Sequence, residues 1–388
     1  MARVGEKEVR GIIDHFEALP DPRTSINRRH LLVDIIVISI CGVVAGADGP
    51  CALEEWAKAQ EQWLKKYLRL PGGIPSHDTI GRVLEALDPQ CFQECFVTWL
   101  ESLSATDETS EEVDKDKHYA IDGKTLRRSH DRRRGLKPLH LVSAWASEQG
   151  ITLGQVATEE KSNEITAIPE LLDRLDLNDA IVTIDAAGCQ KNIARMIIDG
   201  GGDYVLALKG NQETLYEAVV EYFDSLVDCD FQGAAVSYWK EEEKGHGRVD
   251  KRYYYQLSVP KDLPGRKKWA GPKTIGVAIR ISEKGGKQTI DTRFYISSLR
   301  RSVKRFARLV RGHWSIENTL HWSLDVAFGE DTRRQQDRHA AANLGAVRRL
   351  ALSLLRQEQT NKRGLKNKRL ACALDPGYLL TVLNNAAF

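Results

Sequence analysis

Three acidic residues stand where a carboxylate could do chemistry. Asp122 sits in YAIDGKT, inside or at the end of an apolar run, and Asp185 closes the run IVTIDAAG. An acid at a strand terminus is held rigidly while it faces a site. An unpaired buried charge is costly, so such an acid pairs with a metal or a cation, unless it only caps a turn. Glu317 lies in GHWSIENTLHWSLDVAFGED. On a helix, His313, Glu317 and His321 share one face, and Ile316 and Leu320 share the core side. That spacing also allows a His-Glu-His transition-metal site, although no zinc-binding motif matches. An exposed helix glutamate beside surface histidines is the plain structural alternative.

The elements that must position these acids follow from hydrophobic periodicity. HYAIDG, LHLVSAWA and ITLGQVAT are short β-type runs, the last two separated by a Ser147-Glu148-Gln149-Gly150 turn. Asn163 to Leu175 has helical spacing, with Asn163 as a candidate cap. AIVTIDAAG is a buried strand, and Cys189 to Ile198 is a helix stopped by Gly200 to Gly202. DYVLALKG is a fifth strand, and Glu213 to Leu226 another helix. Three antiparallel-type strands followed by alternating helix and strand predict a mixed sheet in an α/β domain.

Around this unit the pattern changes. Residues 10–105 predict an N-terminal helical domain, with the nearly all-apolar stretch Leu31 to Val44 at its centre and Ser76 or Asp78 capping SHDTIGRVLEAL. Residues 106–117, a charged stretch without apolar periodicity, predict a linker to the first part of the catalytic domain at 118–228. Residues 229–299, with RYYYQLSV, KTIGVAIRI and TRFYISSL, predict an all-β insertion. Residues 300–358 return to helix and carry the glutamate. Residues 359–388 predict a basic C-terminal tail.

Composition excludes several classes. The chain has 388 residues, 42% hydrophobic and 28% charged, and is globular in character. The seven cysteines are scattered without a CxxC pair, which argues against a zinc site or a disulfide framework. The N-terminus is charged and lacks a signal-peptide core, and Leu31 to Ala47 is short for a membrane span and carries Asp34, so a cytoplasmic location is expected. Net charge is only +2, but basic residues cluster. One run holds Arg127 and Arg128, a second extends from Arg300 to Arg311, and a third includes Lys362, Arg363, Lys366, Lys368 and Arg369. Each could neutralise phosphates.

The ordered motifs carry a resemblance over about Phe16 to Leu355. FEALPDPR, AIDGKTLRRS, IVTIDAAGCQ, LALKGNQ, GHGRVDKR, YISSL and RGHWSIENTLHWSLDVAFGED occur in that sequence order. The chain resembles the DDE transposases of bacterial insertion sequences, and more closely the H-repeat-associated (ISAs-type) family. The resemblance implies a ribonuclease-H-like fold and a catalytic triad of Asp122, Asp185 and Glu317. These acids would hold two Mg2+ ions, with Mn2+ able to substitute, for phosphodiester hydrolysis and strand transfer. It further implies double-stranded DNA as partner, with terminal inverted repeats as the bound ends, and a homodimer in the synaptic complex. Where the wider superfamily often has Tyr, Arg and Lys around the glutamate, this chain has Val310, His313 and Leu324, which makes Arg311 and His321 candidate cations for the DNA end. Lys124, Arg127, Arg128, His246, Arg248, Arg252 and His313 are the other expected DNA contacts. Arg248 has a structural alternative, an ion pair with Asp250 or Glu242. A nuclease of the same fold, a domesticated DNA-binding protein without strand transfer, and a transition-metal hydrolase are the competing functions.

Overall fold

A computed structural model describes residues 6–26, 28–104, 116–158, 164–245 and 247–384. The expected linker 106–117 falls largely outside them, as do Asn163 and His246. Helices α1 (Glu6–Phe16), α2 (Leu32–Val44), α3 (Pro50–Ala59), α4 (Glu61–Leu64), α5 (His77–Ala86) and α6 (Pro89–Ser104) come first. Ser76 caps α5, its hydroxyl accepting the Thr79 N–H. α2 is buried on all sides, and its Asp34 accepts the Leu70 N–H at 2.9 Å. No helix among the described residues is long and apolar enough to cross a membrane.

Strands β1 (Lys117–Leu126), β2 (Leu139–Ala146) and β3 (Ile151–Thr158) form an antiparallel meander. α7 (Glu164–Leu172), β4 (Ala180–Ile184), α8 (Lys191–Asp199), β5 (Asp203–Leu208) and α9 (Glu213–Asp228) follow. β4 pairs in parallel with both β1 and β5. Every residue of β2 and β4 is buried, as expected for strands covered on both faces. The order β3-β2-β1-β4-β5 is the ribonuclease-H-like mixed sheet expected from the sequence.

The expected β-strand insertion at 229–299 is present, and it extends the same sheet. Strands β6 (Val236–Gly245), β7 (Arg248–Ser258), β8 (Thr274–Lys284) and β9 (Lys287–Ser297) extend the same sheet to nine strands. β9 joins them by pairing antiparallel with β5, Leu206 opposite Ile296. β6 was not foreseen. Its sequence VSYWKEEEKG has no apolar alternation, because it is the outer edge strand and has one neighbour only.

The rest is helical. α10 (Val303–Ser315) runs into a π-helical segment (Ile316–His321) and then α11 (Trp322–Phe328). α12 (Arg338–Gln357) is buried from Ala340 to Leu355 and packs on α2, α5 and α6 as well as on β2 and β3. The region expected at 10–105 is helical throughout its elements, and its apolar core is shared with α12 rather than closed on itself. One continuous apolar core runs from Val9 through Ile316, Leu320 and Leu324 to the α12 leucines.

The basic tail is corrected. Residues 365–384 form α13 (Leu365–Leu374) and α14 (Pro376–Asn384), which complete that core. Lys368 and Arg369 are buried, not offered to phosphate. Lys368 Nζ donates to the Leu355 carbonyl at 2.9 Å, and Arg369 pairs with Asp48 and donates to the Val43 carbonyl at 2.8 Å.

Candidate active site

The two aspartates are brought together by strand register. β1 and β4 are neighbours with Ile121 opposite Ile184, and Asp122 and Asp185 are the next residue on each. Their backbones are thus roughly 5 Å apart, the spacing of adjacent strands. Asp185 Oδ1 accepts the Ala187 N–H at 2.9 Å, which sets the carboxylate in a tight turn. The KGNQ segment braces that turn: Asn211 donates to the Ala186 carbonyl at 2.6 Å and Gln212 to the Cys189 carbonyl at 3.0 Å.

Glu317 arrives from the other side of the chain. The π-helical segment packs against β1, with Ile316 and Leu320 fully buried and Glu317 exposed. Its wide turn is closed by the Trp322 N–H donating to the Glu317 carbonyl, five residues apart. Such π segments concentrate at functional sites. One turn on, His321 Nδ1 lies 3.6 Å from Asp122 Oδ2.

The electrostatics record the convergence. Burial pushes the Asp122 carboxyl up to about 7, and the charges of Asp185, Glu317 and Glu164 push in the same direction. Glu164 was not foreseen. It opens α7, where an acid reads simply as favourable at a helix N-terminus. Instead it is buried, with Oε1 2.6 Å from His140 Nε2. The pair lies against the backbone beside Asp122, and a Cβ on Gly123 would fall 2.1 Å from His140 Nε2, so only glycine fits there.

The donor set is the oxygen-rich one that a hard divalent cation takes, and clustered negative charge is what such a cation relieves. Among the described residues no three His, Cys, Asp or Glu side chains stand close enough to hold an ion as they are placed. As placed, Asp122, Asp185 and Glu317 do not form such a group. The same observation removes His313, Glu317 and His321 as a ready transition-metal site.

The expected DNA contacts divide. Arg248, Arg252 and Arg311 line a cavity of about 530 Å³ that Glu317 also borders, and Arg280, Arg293, Tyr254 and Trp314 complete its wall. Several of these arginines are tied to acids of the sheet. Arg248 reaches Asp250 at 3.0 Å, the structural alternative considered for it, and Arg252 and Arg280 share that buried carboxylate. Arg311 pairs with Glu241 at 3.0 Å and Glu243 at 3.2 Å. Arg127 and Arg128 are exposed, Arg127 pairing with Asp331 at 3.1 Å and Arg128 donating to the Thr332 carbonyl at 3.3 Å.

Two expectations, Lys124 as a phosphate contact and His321 as a cation, are corrected. Lys124 is buried, with Nζ donating to both Asp325 oxygens at 2.7 and 2.8 Å, so it ties α11 to β1 and has no free face for phosphate. His321 is pushed down to about 3, first by burial, and is no cation at neutral pH. His313 is likewise pushed down to about 4 by burial, although the Asp185 charge acts in the other direction. Trp239 half-packs against the α10 cluster, with its Nε1 donating to Glu241.

Comparison with known proteins agrees with this layout. Residues 13–100 match the family described as DDE_Tnp_1-associated, and residues 113–354 match the Transposase DDE domain. The chain is 38% identical over 383 residues to the "H repeat-associated putative transposase YhhI" of Escherichia coli K12, covering 97% of this chain and 98% of that one. It is 39% identical over 379 residues to the "Putative transposase YncI" of Escherichia coli O157:H7, covering 97% and 95%. A short relative, "Inactive transposase YbfQ" of strain K12, is 36% identical over 77 residues, 20% of this chain and 92% of that one. With the aspartates on adjacent parallel strands, the glutamate on a packed helix and both halves of the chain matched, this protein belongs to the DDE transposase family.

Proposed function

We propose that this chain cuts DNA at the ends of an insertion sequence and joins the freed 3′ ends to target DNA, working as a homodimer in the bacterial cytoplasm. The observation that supports this most is the parallel pairing of β1 with β4, which sets Asp122 beside Asp185, with the segment bearing Glu317 packed on β1. Asp122, Asp185 and Glu317 would hold two Mg2+ ions, or Mn2+. Bound there, the ions would make a water or 3′-hydroxyl nucleophilic and stabilise the leaving oxygen.

The protein's own residues do the rest. The β4 turn and the packed π segment fix the carboxylates from two directions. The arginine-lined cavity beside Glu317 receives the phosphate backbone, and Arg127 and Arg128 extend the basic surface. In the absence of DNA the acids Asp250, Glu241 and Glu243 hold those guanidiniums apart and oriented, and phosphates can replace the exposed carboxylates as partners.

The test is a donor DNA carrying the inverted repeats that flank the gene. Wild type should nick and then join it, and Asp185→Asn should bind the ends without nicking. Nicking with no joined product under any divalent metal would favour a nuclease of the same fold. Unimpaired nicking by Asp185→Asn would remove the acid from the mechanism.

A further inference from the structure

Lys209 directly follows the last residue of β5, and strand register places it beside the acids. Ile184 pairs with Leu206 in the parallel β4–β5 ladder, so Asp185 is level with Ala207. Lys209 is two residues further on, and its Cα lies about 8 Å from that of Asp185. On the other flank, the antiparallel β5–β9 ladder ends with Leu208 opposite Phe294. The next pair in that register is Lys209 and Arg293.

Alternation along the strand decides the face. Val205 and Ala207 pack with the α10 cluster, whereas Leu208 belongs to the core on the opposite side of the sheet. Lys209 is still extended, at φ −147° and ψ −173°, so it turns to the α10 side with Ala207. Asp185 shares that side: Thr183, two residues before it, reaches His313 of α10 at 3.1 Å. The Asn211 and Gln212 hydrogen bonds to the Ala186 and Cys189 carbonyls tie the segment after Lys209 to the turn after Asp185.

The neighbouring cations already have partners. Lys124 bonds Asp325, Arg311 holds Glu241 and Glu243, and Arg252 and Arg280 share Asp250. Arg293 reaches Asp291 at 3.0 Å and stacks 3.9 Å over the Trp314 ring. Lys209 is exposed and makes no hydrogen bond or ion pair among the described residues. Lys209, Arg293, Arg280 and Arg252 form one cationic row over β5, β9, β8 and β7, leading from Asp185 into the cavity. A nucleic-acid strand, with a negative charge on every nucleotide, is the anion that suits a row.

We propose that Lys209 contacts the DNA directly. Its ammonium holds a non-bridging oxygen of the scissile phosphodiester on the Asp185 side, and the strand continues from there along the arginines. A lysine serves such a contact as a mobile point charge on a flexible stem.

The contact rests on the DNA-cleaving function proposed above, and the experiment separates the two. The probe is inverted-repeat donor DNA with a neutral methylphosphonate in place of the scissile phosphate, bound in EDTA and compared with intact donor. Wild type should lose about fivefold in affinity on this change, and Lys209→Gln less than about twofold. Lys209→Arg, which keeps the charge, should respond as wild type does. Lys209→Gln should keep the wild-type Tm, since the side chain touches no partner. Nicking of intact donor in Mg2+ is read alongside. Equal losses in wild type and Lys209→Gln, or a wild type indifferent to the methylphosphonate, overturn the contact even where wild type nicks normally. The expected losses without nicking by wild type overturn the proposed function and leave the contact standing. A wild type that does not bind the donor overturns both.

Discussion

Replacing Asp122 by asparagine keeps the shape of the side chain and removes its charge. The folded protein moves this carboxyl from 3.8 to about 7, first by burial and then by the neighbouring acids. Between roughly pH 4 and pH 7 the folded state therefore holds a proton that the unfolded chain has lost. Stability from this group is full below the unfolded value, falls as pH rises through that window, and is flat above it. The gap corresponds to roughly 4 kcal/mol. With the side chain 16% exposed, water and relaxation leave about 1 to 2 kcal/mol. In EDTA at pH 8, Asp122→Asn should be more stable than wild type by that amount, roughly 1 to 3 °C in Tm for a chain of this size. The difference should shrink towards zero near pH 4. Millimolar Mg2+ should raise the wild-type Tm at pH 8 and leave the variant unmoved. Differential scanning calorimetry across pH, with and without metal, measures all of this. A variant less stable than wild type at pH 8, with the same pH slope and the same response to Mg2+, would refute the clustered-charge argument.

Other outcomes follow from the same geometry. Glu317→Gln should abolish nicking while end binding by gel shift stays within about twofold of wild type, because the residue is exposed and replaces no packed contact. Arg311→Ala should reduce the slope of log affinity against log salt by about one, whereas Arg248→Ala should change it less, since Arg248 is paired with a buried carboxylate. An equal slope for Arg311→Ala and wild type would place the DNA elsewhere. Lys124→Met should act on stability and not on the salt slope: it leaves Asp325 without its cation, at a cost of about 2 to 3 kcal/mol, read as a lower midpoint in urea.

Much of the candidate site's layout was legible because local patterns and global fold agree. Asp185 ends an apolar run that can only be a buried strand, and Asp122 lies in another. Their adjacency comes from the parallel pairing of β1 with β4, which the local pattern leaves open and the resemblance to a ribonuclease-H-like fold implies. Glu317 was legible through its motif; its helical spacing alone marks it as an exposed surface acid, which it is. The π turn beneath it was not legible, because it arises where Ile316 and Leu320 are drawn into a shared core. Charge runs misled for a related reason. Arg369 finds Asp48, 321 positions away, and Lys124 finds Asp325, 201 positions away. No local window contains both partners, so each lysine or arginine reads as solvated. The edge strand β6 hides its β character because its acids answer arginines on α10 and β7.

The most direct measurement of the central claim is strand joining by purified protein on a donor with the flanking inverted repeats, in Mg2+, comparing wild type with Glu317→Gln. Wild type should release the 3′ ends and covalently join them to target DNA, and the variant should bind the same donor and yield neither product. Joined product from Glu317→Gln at the wild-type rate would contradict the account.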